Sequence, residues 1–152
     1  MQGLASIWGW RIGAWAAAAL ATLVATSLAH SLMVQRELVK LGVEMPLGVR
    51  LSAMFRDVTG LAPTLGVVLA GALLIAFPVA AFLGRRAGGL MKALAYPLAG
   101  LAAVALALLA MRLAFGFSAL AGARTGAGFL LMSLGGLVGG TVFSVFPRKA
   151  AA

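Results

Sequence analysis

Apolar residues fill most of the chain in four long runs separated by short polar breaks. The runs are Ile12–Val34, Leu61–Leu83, Ala93–Phe115 and Gly128–Phe146. Each comes close to the length of about 20 residues that a helix needs to cross the hydrocarbon of a bilayer. In lipid every backbone N–H and C=O must be satisfied within its own segment, so the runs predict helices. The fold class predicted is therefore all-α and integral to the membrane: a four-helix transmembrane bundle, with residues 1–152 forming a single domain. Pro63 falls in the first turn of its predicted helix, where a missing N–H costs little. Pro78 and Pro97 lie further inside and predict kinks.

The stretch between the first two runs, residues 35–60, has a different pattern. All three acids of the chain, Glu37, Glu44 and Asp57, fall in it, with four of the twelve basic residues. Taken at about 100° per residue, Val34, Leu38 and Leu41 share a stripe with Arg36, Glu37 and Lys40 opposite. Leu47, Leu51, Met54, Phe55 and Val58 share a second stripe, with Ser52, Arg56 and Asp57 on the other side. Gly42 is a natural helix stop and Pro46 a natural opener. The pattern predicts a short amphipathic helical pair lying in the membrane interface between the first and second spans. Its default role is a cap over the bundle, and the alternative is a docking site for a partner.

Composition narrows the setting. With 63% apolar and 10% charged residues, and a mean hydropathy of +1.10, the chain has too little polar surface to coat a soluble globule. The Ala/Leu/Gly-rich make-up points to a bacterial inner membrane. The net charge of +9 raises the question of nucleic acid. The bases, however, are scattered between apolar runs and form no basic face, so membrane lipids are the expected partner and nucleic acid is not. Cysteine is absent, which removes disulfides, thiolate catalysis and thiolate-held metals. With one histidine besides, no metal site and no cofactor is expected.

Orientation is finely balanced. Arg11, Arg85, Arg86, Lys92, Arg148 and Lys149 would face one side; Arg36, Lys40, Arg50, Arg56, Arg112 and Arg124 would face the other. The crowding of Arg85, Arg86 and Lys92 in one tight turn favours both termini inside. The N-terminal run resembles a secretory signal, with Arg11 before it and Ser27-Leu28-Ala29 as a cleavage site. The run continues past Ala29, and Trp8, Trp10 and Trp15 form an interfacial belt, so a retained span is expected.

Polar residues within the spans mark the candidate chemistry. Thr22, Thr26 and His30 recur every four residues on the first span, beside Ser27 and Ser31, and the stripe runs toward Glu37. It is the candidate polar path or ligand site, to be weighed against simple helix-to-helix hydrogen bonding. Arg112 and Arg124 would by default snorkel to headgroups, and the alternative is that they pair with Glu37, Glu44 or Asp57 at the bundle rim. Gly135 with Gly139, and Gly136 with Gly140, make overlapping small-residue pairs that pack helices closely, within the bundle or between copies. No catalytic residue is identified.

The leading expectation is a non-enzymatic accessory or scaffold subunit of a membrane complex, or a homo-oligomer. The alternative is a small channel or transporter whose path follows Thr22, Thr26 and His30. A weaker one is a lipid-binding protein or membrane enzyme using a rim cluster of His30, Glu37, Asp57 and Arg112.

Overall fold

A computed structural model of the chain describes residues 2–86, 88–115 and 120–146, with side chains from residue 9 onward. The Trp8 side chain, Arg148 and Lys149 lie outside the described residues. Four helices account for nearly all of it: α1, Gln2–Lys40; α2, Leu47–Arg86; α3, Gly89–Phe115; and α4, Gly126–Val145. A 3-10 turn, Ala121–Ala123, precedes α4. All four helices are long and apolar enough to cross a membrane, the architecture of a multi-pass membrane protein.

The boundaries follow local chemistry. α1 ends where Gly42 adopts a φ of 82°. The Gly42 N–H donates to the Val39 carbonyl at 3.0 Å and the Val43 N–H reaches back to Leu38 at 3.1 Å. Those paired bonds satisfy carbonyls that the helix end leaves open, and glycine alone accepts that backbone cheaply. The Arg50 N–H donates to the Pro46 carbonyl, so Pro46 stands at the threshold of α2. α4 is capped by Thr125, whose hydroxyl accepts from the Gly128 N–H at 3.1 Å.

The two amphipathic segments are helical, but they are not separate elements. The first is the closing stretch of α1, and the second is the opening stretch of α2, helices 39 and 40 residues long respectively. Helices of that length span about 60 Å at 1.5 Å per residue, against about 30 Å of hydrocarbon. Joined through the Gly42 turn, they extend as a hairpin beyond the four-helix region. Pro63 correspondingly sits well inside α2 and not in its first turn. The helix runs through it, leaving the Thr59 carbonyl without its usual i+4 donor. Pro78 and Pro97 likewise lie inside continuous helices.

Around the bundle the order is α1, α2, α3, α4, with α4 wedged between α1 and α3. Two apolar clusters fill the middle. Leu23, Leu65, Leu69, Val104, Leu108 and Met132 form the one nearer the hairpin. Ala14, Ala18, Leu73, Phe77, Ala103 and Phe143 form the other. In the second, Phe77 stacks on Phe143 with centroids 4.3 Å apart, and Tyr96 meets Phe77 edge-on at 5.9 Å. Such aromatic pairs contribute beyond their buried area. Outward-facing side chains are as apolar as the core: Leu20, Ile75, Leu113 and Leu130 are all largely exposed. That surface is stable only against lipid.

Candidate functional site

The polar stripe of α1 faces α4, and glycines meet it there. Thr22 and Thr26 are fully buried. The Thr22 hydroxyl donates to the Ala18 carbonyl one turn back, at 2.8 Å. The Thr26 hydroxyl crosses the interface and donates to the Met132 carbonyl of α4 at 3.3 Å. Gly139 lies against Thr22 and Gly135 against Thr26, so closely that a Cβ on either glycine would overlap the threonine. The opposite pair serves the other neighbour: Gly136 abuts Gly100, and Gly140 abuts the Tyr96 carbonyl and Pro97, both on α3. All four glycines are buried within this chain. In lipid, where apolar burial does not drive helices together, such close backbone approach supplies dispersion and weak polar contact instead.

His30 continues the stripe at its hairpin end. Its Nδ1 accepts the Gly122 N–H at 3.2 Å, tying α1 to the 3-10 turn before α4. Gly122 fits closely there: a Cβ would lie 2.8 Å from Nδ1 and 2.9 Å from the His30 Cα. The imidazole thus serves as an acceptor for a backbone donor that the turn leaves without a helical partner.

Glu37 does not join this stripe. Spacing puts it on the His30 side of α1, but it lies two turns further along, beyond the 3-10 turn, and is exposed. Its carboxylate pairs with Lys40 at 2.7 Å, the only ion pair among the described residues. Exposed pairs of this kind contribute little. The buried polar line follows another register, through Ser27, Ser31 and Gln35. The Gln35 amide donates to the Ser31 hydroxyl and to the Arg50 carbonyl, each at 3.1 Å, joining α1 to α2 at the base of the hairpin. Gln35 escapes notice in the sequence because it sits among charges. Its signal is the i+4 spacing from Ser31. The Ser27 hydroxyl is buried with no partner among the described residues.

The rim pairing expected for Asp57 with Arg112 and Arg124 does not form. Asp57 stands on the hairpin segment of α2, ahead of Leu61 where that helix begins to pack on the core, and makes no ion pair among the described residues. Arg112 ends α3 and Arg124 follows the 3-10 turn, and the two line one cavity of about 280 Å³ instead. No group of three or more His, Cys, Asp or Glu suited to a metal ion occurs among the described residues. Searches of protein-family models, curated proteins and solved structures find no match for this chain.

Proposed function

We propose that the protein is a non-enzymatic accessory subunit of a bacterial inner-membrane complex, with both termini on the cytoplasmic side. The observation that carries this reading is the fate of the polar groups in the spans. Thr22, Thr26 and His30, the residues that a conducting path or a catalytic centre would use, are bonded into a glycine-tight seam between α1 and α4. A path along that stripe would have to pull apart helix backbones in close contact, which favours scaffold over channel.

The hairpin favours a partner over a solitary existence. Leu47, Leu51 and Phe55 are 77%, 66% and 71% exposed on one face of α2 outside the core-packed region. A row of large apolar side chains rimmed by Arg50, Arg56 and Asp57 is the composition of a docking surface. With the seam glycines already occupied inside the chain, self-association would need a different face.

Site-specific photo-crosslinkers at Leu51 and Phe55 in native membranes test the reading. It predicts one discrete protein adduct whose partner co-purifies stoichiometrically after gentle extraction. Adducts to lipid alone, together with ion or solute flux in proteoliposomes that His30→Ala abolishes, would replace it with the channel reading.

A further inference from the structure

Among the described residues, no acid pairs with the positive charge where α3 ends and α4 begins. Arg112 and Arg124 line the same 280 Å³ cavity, walled by Leu108, Met111, Leu120 and Phe129, with no acid among its lining residues. Neither guanidinium has an ion pair or side-chain hydrogen bond among the described residues. Both arginines are exposed, so their charges are open to an anion at headgroup depth. An anion held between them would gain two charge-assisted contacts, and the planar guanidinium fork matches phosphate oxygens in pairs.

A second space begins at Met111. The same side chain lines an apolar groove of about 930 Å³ between α2 and α3 that continues to Leu83 and Met91 at the other end. Its walls are low because small residues form them: Ala72, Ala76, Ala80 and Gly84 recur every four positions on α2. Along α3 the groove covers about 36 Å from Met91 to Phe115 at the helical rise, matching a hydrocarbon thickness of about 30 Å. Charge at one end and an apolar trough running from it at acyl depth are the two halves of an amphiphile's shape.

We propose that these spaces form one phospholipid site. The phosphate of an anionic headgroup sits between Arg112 and Arg124, and an acyl chain lies along the hairpin-side half of the α2–α3 groove, with Met111 at the junction. The site stands independently of the accessory reading and needs only that the chain lies in a membrane.

The test is native mass spectrometry of the full chain, released from nanodiscs of equal phosphatidylglycerol and phosphatidylcholine. The wild type should retain one phosphatidylglycerol in preference to phosphatidylcholine. Arg112→Gln and Arg124→Gln should each lower that retention about five-fold, the effect of one cation near an anionic surface. Arg85→Gln with Arg86→Gln removes two charges at the opposite end, more than either single variant, and should leave it unchanged. Ala110→Phe with Ala114→Phe fills the groove from two exposed positions, keeps both arginines, and should also lower retention. Equal retention of the two lipids, or indifference to both arginines, overturns the proposal. It is also overturned if inorganic phosphate raises the melting temperature through the arginines while the groove-filled variant still keeps its lipid, which marks a phosphate pocket alone. Loss of a dimer or partner protein in the groove-filled variant, with lipid retention intact, overturns it in favour of a helix-docking groove.

Discussion

Gly136 and Gly139 lie three residues apart on α4, yet the first meets Gly100 on α3 and the second meets Thr22 on α1. Each position works by lacking a Cβ, so the effect of adding one should depend on the neighbour and not on helix propensity. Gly136→Ala and Gly139→Ala should each destabilise the bundle by about 1–3 kcal/mol through overpacking, read as a lower melting temperature in mild detergent. Gly71, with open space around it, is the control. Gly71→Ala should be neutral, or stabilising by up to about 1 kcal/mol, because alanine favours the helix. Equal losses at all three positions would show that the glycines act through the chain's flexibility and not through the seam. Asp57 makes the opposite case. With no ion pair to lose, Asp57→Ala should move stability by no more than about 0.5 kcal/mol. The sequence displays the glycine pairs and the threonine stripe, but periodicity specifies only that residues share a face. Which helix covers that face depends on the packing of all four.

Among the elements, the α1–α2 hairpin shows best where sequence reasoning stops. The amphipathic stripes, the stop at Gly42 and the opening at Pro46 are all legible, because each is local chemistry. Continuity with the spans is not legible, since a stripe reports which way a helix faces and not whether its axis continues. Pro63 suggests a boundary, but it removes only one N–H, and the carbonyl it orphans belongs to exposed Thr59 at the polar end of α2. At the turn, Gly42→Ala should cost about 1–2 kcal/mol, the penalty of a left-handed backbone for an L-residue, again as a fall in melting temperature. Because the chain contains no cysteine, single cysteines report position cleanly. Val49→Cys, on the exposed hairpin, should react rapidly with a membrane-impermeant maleimide, whereas Leu20→Cys on the lipid face should not. Protection of Val49→Cys would put the hairpin in the bilayer interface as a flat pair.

For the molecule as a whole, the polar stripe of α1 is turned inward against α4 and the turn before it. On one side α4 packs on Thr22 and accepts a hydrogen bond from Thr26, with His30 holding the turn before it, and on the other it makes a glycine-to-glycine approach to α3. The same stripe suggests a path when only the sequence is considered, because a threonine that lines water and one that bonds a neighbouring carbonyl look alike in one dimension. The difference is whether the stripe is dry. A cysteine at Thr26 is close enough in volume to leave the packing intact, and its reaction with a charged, water-soluble methanethiosulfonate in native membranes tests this most directly. The closed seam predicts that Thr26→Cys stays unmodified under conditions that modify Val49→Cys completely. Modification of Thr26→Cys at a comparable rate would show water in the seam and contradict the account.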